Sequence, residues 1–404
     1  MPTVRTEYIV LTLVQRQRKS LMPAFAYRHV KDLYPVFWEK SCKLVNALMK
    51  ATKTEGKEST ESLAGAPFIE IGGWGSRVAL DIIGTAGMGQ DFKAIDDPDT
   101  ELNITYRKVF TPSTSQRFIG LAGLVLPQWF IRNLPLPHNA NILQASETIK
   151  KVCRQLIRQK QDKLNRKEKR VEVDILSVAI ESGGFSEEDL VNQMMTFLAA
   201  GHETTATTLT WAFYLLSQNP DIQTRLREDI RTHLPAIDDA STTVTAASLD
   251  SCHLLHAVCN EVLRLYSPVP LTLREAARKT TIMGHVVPKG TIIILPIWGV
   301  NRSVSLWGAD ATEFKPDRWM GPGKANTGGA ESNYSMLTFL HGPRSCIGQA
   351  FAKSEFACLL AAVVGRFEFE LEDPKLPENI LIKQGITARP KGGLNVRMRP
   401  LEGW

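Results

Sequence analysis

No apolar run near the start of this 404-residue chain exceeds Tyr8–Val14, "YIVLTLV". That is far below the roughly 20 residues a membrane-spanning helix needs, so the sequence as written offers no anchor. Nothing reads as a secretory signal. Six cysteines (Cys42, Cys153, Cys252, Cys259, Cys346 and Cys358) lack any framework spacing, which excludes a disulfide scaffold and implies reduced thiols in a reducing compartment. Internal repeats and low-complexity tracts are absent, and strand signals are few. The 48 basic and 42 acidic residues leave a net charge of only +6. Such a charge suits a basic docking face for an acidic partner or a membrane surface, and is too weak to argue for nucleic acid.

What the chain does have is apolar residues at helical spacing. With 43% hydrophobic residues it can bury a large core. The stretch from Gly184 predicts a helix of more than 30 residues, unusually long for a globular protein. Ser186 caps it with Asp189 three positions on, and it ends at Asn219-Pro220, where Asn219 caps a following helix begun by Pro220. The segment "RQKQDKLNRKEKRVEVD" (158 to 174) reads as a solvated helix end and loop, and "GPGKANTGGAESN" (321 to 333) as a surface loop. "TTIMGHVVPKGTIIILPIW" alternates and predicts a hairpin turning at Pro288-Lys289-Gly290. A second strand region lies in "ITARPKGGLNVRMRP". The expected class is mainly α with a small β portion.

Four stretches carry chemistry. "AAGHETTATT" puts Gly201 and four threonines inside the long helix, where hydroxyls can bond back to the preceding turn and bend it. Read blandly this is a polar packing stripe; read sharply it sets Glu203 and Thr204 beside a cavity as an acid and an alcohol that relay protons. In "CHLLHAVCNEVLRLYSPVP", Glu261 and Arg264 share a face of an apolar helix, and a buried pair of this kind needs further partners. Arg318 in "FKPDRW" is the candidate. Cys252, His256 and Cys259 also share a face, but without the spacing of zinc modules. Buried thiols acting as small hydrophobes explain them better. Finally, Cys346 in "FLHGPRSCIGQ" follows Gly342 and Pro343 and precedes a helical pattern. A helix N-terminus stabilises a thiolate, which is a metal ligand or a nucleophile. His341 is its isolated candidate base.

"FLHGPRSCIGQAF" resembles the haem-binding signature of the cytochromes P450, with Phe339, Gly342, Arg344, Cys346 and Gly348 in its five fixed places. "AGHETT", "EVLR" and "FKPDRW" resemble that family's oxygen-activating, Glu-x-x-Arg and following Arg motifs, in the same order. The resemblance implies the P450 fold over residues 15–404, with 1–14 as a non-family segment. It also implies that the N-terminal helices and first sheet strands of the family are missing, as in a truncated gene model or transcript, with a shortened natural protein as the alternative. Thr291–Leu295 would then show an unpaired apolar edge.

The resemblance implies haem b as cofactor, with Cys346 as axial ligand to its iron. Phe339 would pack beside the sulfur. Arg344, Arg274 and Arg18 would hold the propionates with help from His341, although Val14 stands where the family has an aromatic or histidine. Glu203 and Thr204 would deliver protons. Glu261, Arg264 and Arg318 would fix the cysteine loop. The implied activity is reductase-coupled monooxygenation of a small apolar substrate by dioxygen in fungal secondary metabolism (terpenoid, polyketide or alkaloid), with NADPH-cytochrome P450 reductase as partner. The family's location is the cytosolic side of the endoplasmic reticulum membrane; without a spanning segment, the cytoplasm is the alternative. A haem-thiolate isomerase or dehydratase without oxygen insertion, or a non-catalytic remnant, are the other readings.

Overall fold

Helical periodicity dominates the chain, and helices dominate the computed structural model, which describes residues 15–54, 63–110, 137–166, 174–238, 244–383 and 385–404. The chain divides into two compact units, one of residues 1–47 and 76–203, the other of 48–75 and 204–404. No described helix is long and apolar enough to cross a membrane.

The first unit is built around helices Glu101–Phe110, Pro137–Asn165 and Ile175–Glu181 and the first half of α1, Glu187–Ser217. Asp174 caps the third of these through Ser177 N at 2.8 Å and holds Lys160 at 2.5 Å. α1 runs unbroken for 31 residues. Its start is a reciprocal capping box: Asp189 N donates to Ser186 Oγ at 3.1 Å, and Ser186 N donates back to Asp189 Oδ2 at 3.3 Å. Gly201 is there for proximity, since a Cβ on it would meet Ile83 Cδ1 at 3.1 Å. The anticipated bend at the threonines does not break the helix. Thr208 and Thr210 bond back to the carbonyls of Thr204 and Ala206 at 2.9 and 2.8 Å. These bonds satisfy the hydroxyls without displacing the backbone ladder.

The second unit holds the rest of α1, then α2 (Pro220–His233), α3 (His253–Leu265) and α4 (Gln349–Arg366). Pro220 does open α2, but the Asn219 side chain does not cap it. It donates instead to Leu215 O at 2.7 Å, at the end of the preceding helix. α4 is buried continuously from Ser354 to Gly365, as an all-round apolar helix must be.

Among the described residues nine short strands make four small sheets. β1 (Phe68–Glu70) and β6 (Phe367–Leu371) flank β9 (Asn395–Pro400), both antiparallel to it. β2 (Thr272–Glu275) pairs with β5 (Ile292–Leu295), β3 (Thr280–Ile282) with β4 (His285–Val287), and β7 (Ile382–Lys383) with β8 (Arg389–Pro390). The hairpin in this region turns at Met283-Gly284, not at Pro288–Gly290. Both turn residues have positive φ, 46° and 81°, the conformation a two-residue hairpin loop demands. After Gly290 the chain moves on to pair with β2. Among the described residues no second strand pairs with β5, whose Ile292 and Ile294 are exposed.

The core of this unit is aromatic. Trp211 stacks on Tyr266 at 4.1 Å and donates its indole N–H to Ala388 O at 2.7 Å. Arg302 lies over Tyr266 and Trp298 at 4.5 and 4.7 Å, a desolvated cation against two ring faces. At the end of α4, a Cβ on Gly365 would meet the Trp404 ring at 2.3 Å.

Candidate active site

The apolar face of α3 carries Glu261 and Arg264 into complete burial, at 0% exposure each. Arg264 donates Nε and Nη2 to the two Glu261 oxygens, both at 2.8 Å. Its remaining N–H groups reach the carbonyls of Asn301, Ala311 and Glu313 at 2.8, 2.6 and 3.1 Å. All five donors of the guanidinium are therefore used. Glu261 accepts three more bonds, from Arg318 Nε, Trp319 Nε1 and Lys315 N at 2.9, 2.9 and 3.0 Å. Trp307 lies against the Arg264 guanidinium at 4.9 Å and donates to Ser335 O. A buried ion pair survives only when every lone pair and proton is met, and here that condition holds.

Asn301 couples this network to the cysteine loop, and no motif in the sequence marks it. Its Nδ2 donates to Arg264 O and Thr338 Oγ1, and its Oδ1 accepts Leu337 N at 2.7 Å. Thr338 Oγ1 donates onward to Leu263 O. The two residues before Phe339 are thus fixed to α3. From there Leu340 adopts φ 57° and Gly342 φ 78°, and Cys346 N closes the turn on Phe339 O at 2.8 Å. A left-handed leucine is strained backbone, of the kind that clusters at functional sites.

Cys346 is the exposed cysteine of the six; Cys42 is half-buried and the other four are buried. It lies two residues before Gly348, the N-cap of α4, and so just ahead of the helix, not within its first turn. Arg344 and His341 are exposed beside it in sequence, His341 Nε2 lying 3.2 Å from Met336 O, while Phe339 is half-buried. Arg274, on β2, is exposed and bonds its own strand through Leu273 O. These five residues belong to the second unit. Half-buried Arg18 and buried Glu203 belong to the first, and half-buried Thr204 begins the second part of α1.

Two pairs along α1, one part-buried and one buried, escaped the sequence reading, because each joins residues far apart in the chain. His202 Nε2 lies 2.6 Å from Ser76 Oγ, its ring 5.2 Å from Tyr106. Thr205 Oγ1 donates to Glu355 Oε2 of α4 at 3.0 Å. Burial holds the Glu355 carboxyl well above the usual carboxylate range, with the Thr205 bond as a smaller opposing effect. Its Oε1 has no hydrogen-bond partner among the described residues, which is consistent with a neutral acid.

The residues fit a haem-thiolate cofactor by the chemistry of the donor set. A soft sulfur donor is exposed on a turn that is hydrogen-bonded at both ends, and the exposed guanidinium of Arg344, suited to a carboxylate, neighbours it in sequence. The cytochrome P450 family model matches residues 12–396. The chain belongs to the cytochrome P450 family. Among curated relatives it is 47% identical over 391 residues to the cytochrome P450 monooxygenase sphH of Aspergillus fumigatus, covering 96% of this chain and 70% of that protein. It is 43% identical to FUM15 of Gibberella moniliformis (95% and 71%) and 40% identical to buaD of Petromyces alliaceus (96% and 72%). This P450 is an oxygen-incorporating oxidoreductase with a haem-thiolate cofactor, and P450 monooxygenases draw electrons from a redox partner.

Proposed function

We propose that this P450 inserts one atom of dioxygen into an apolar intermediate of fungal secondary metabolism, of the terpenoid, polyketide or alkaloid class. Residues 15–404 form the catalytic domain. Electrons come from NADPH through cytochrome P450 reductase, at the cytosolic face of the endoplasmic reticulum. The observation that carries this reading is the exposed Cys346 thiol on a turn tied through Asn301 to the buried Arg264–Glu261 pair.

When bound, haem b supplies the dioxygen chemistry and the bond-making. The chain supplies position and protons. Cys346 would hold the haem iron through its thiolate, and Phe339 would pack beside that sulfur. Arg344, Arg274 and Arg18 would pair with the propionates, and His341 would assist. The network of Glu261, Arg264 and Arg318 keeps the cysteine turn from relaxing. Glu203 and Thr204 would hold and pass on protons, as an acid and an alcohol side by side. Exposed Leu271 and Leu273 on and beside β2 favour an apolar substrate.

A carbon monoxide difference spectrum of the reduced protein tests the reading. A red-shifted Soret band is expected, lost in Cys346→Ser; folded wild-type protein without that band would overturn it. Product formation that needs no NADPH and survives Thr204→Ala would replace oxygen insertion by rearrangement or dehydration.

A further inference from the structure

Away from these residues, three donors from two segments of the second unit converge. Asp229 and His233 stand four apart on the last turns of α2, on one face of the helix. Cys252 is the N-cap of α3. One ligand atom of each lies within 4.8 Å of the others.

The Asp229 side chain is 18% exposed, and its Oδ2 is buried with no hydrogen-bond partner among the described residues. Leaving a buried carboxylate oxygen unmet is costly. A protonated His233, 3.4 Å from Oδ1, answers the other oxygen only. His233 Nδ1 is also 2.8 Å from Asp229 O. Binding a metal through Nδ1 requires that bond to be released, whereas binding through Nε2 keeps it, the arrangement typical of a metal-binding imidazole. Cys252 is fully buried, and its thiol lies 3.7 Å from Ser248 O and within hydrogen-bonding reach of the Ser251 side chain.

We propose that Asp229, His233 and Cys252 form a zinc site that ties the end of α2 to the start of α3. A thiolate, an imidazole and a carboxylate select Zn²⁺ over Ca²⁺ or Mg²⁺, which take oxygen ligands. Three protein ligands leave one tetrahedral position for water, and the half-exposed His233 ring gives the ion a route in. Bonds of about 2.0–2.3 Å require the three donors to close by about 1 Å on binding. The thiol, which burial and then the Asp229 charge push up to about 12, exchanges its proton for the metal and releases it to solvent. Because α3 carries Glu261 and Arg264, the ion braces the helix on which the cysteine loop depends. This is not the face of Cys252, His256 and Cys259. His256 Nε2 lies on Leu249 O at 3.1 Å, and Cys259 is buried.

Equilibrium dialysis of the full chain against Zn²⁺, followed by metal analysis, tests the site. One Zn²⁺ per chain is expected at about 10 µM free metal, with a rise in the thermal midpoint. His233→Ala, a half-exposed position that folding tolerates, is expected to weaken binding at least about tenfold and to abolish the stabilisation, as is Cys252→Ser. His256→Ala is expected to change neither. Absence of stoichiometric binding overturns the proposal. So does binding that survives His233→Ala, or that disappears only in Cys346→Ser.

Discussion

Replacing Glu261 by alanine removes the carboxylate paired with a fully buried guanidinium. Arg264 loses two bonds of 2.8 Å and keeps three to neutral carbonyls. Arg318 Nε, Trp319 Nε1 and Lys315 N lose their acceptor as well. Breaking a buried pair from one side costs about 3–5 kcal/mol, because the remaining charge is left uncompensated. Against a total stability of about 5–15 kcal/mol, that is a large fraction. With a urea m-value of about 3 kcal/mol/M, the midpoint falls by about 1 M or more.

The loss is also expected to be local before it is global. Asn301 takes its orientation from Arg264 O and passes it to Leu337 N. Hydrogen exchange at Leu337, Thr338 and Cys346 should therefore accelerate more than at β9. Adding Arg264→Met removes the uncompensated charge, so the double variant should be no less stable than Glu261→Ala alone, a strong positive coupling. A midpoint shift below about 0.3 M in Glu261→Ala, or additive losses in the double variant, would refute the reasoning.

Three further outcomes are expected. Asn301→Ala leaves Leu337 N without its acceptor and should cost about 1–3 kcal/mol, with faster haem loss measured by transfer to a haem acceptor protein. The raised pKa of Glu355 means that its contribution to stability is fully present below the unfolded carboxyl value, near 4.5, and declines as pH rises toward the folded value. Glu355→Gln should cancel that decline, so the variant gains on wild type as pH rises above the unfolded carboxyl value in parallel urea titrations. Gly365→Ala forces a methyl group into the Trp404 ring and should lower stability by about 1–3 kcal/mol in a thermal melt.

Local chemistry was legible because it is written in neighbouring residues. The length of α1, its Ser186–Asp189 cap and the buried face of α3 all follow from spacing of three and four. The hairpin was misplaced for the same reason that it was found. Pro288-Lys289-Gly290 carries the stronger turn composition, yet the preference of β5 for β2 moved the turn to Met283-Gly284. Pairing is a tertiary choice, and it overrode local turn propensity.

The sequence by itself determined which side chains are available: a thiol on a Gly-Pro turn, an acid and an alcohol side by side at Glu203-Thr204, and a Glu-Arg pair one turn apart. Tertiary structure alone decided what those side chains meet. It linked Asn301 to Leu337, set Thr205 against Glu355 and drew Cys252 toward Asp229 and His233. The physical reason is burial. A hydrogen bond or a metal ligand inside the protein is valuable only against the cost of leaving its partner unmet there. Those partners come from chain segments that no local pattern connects.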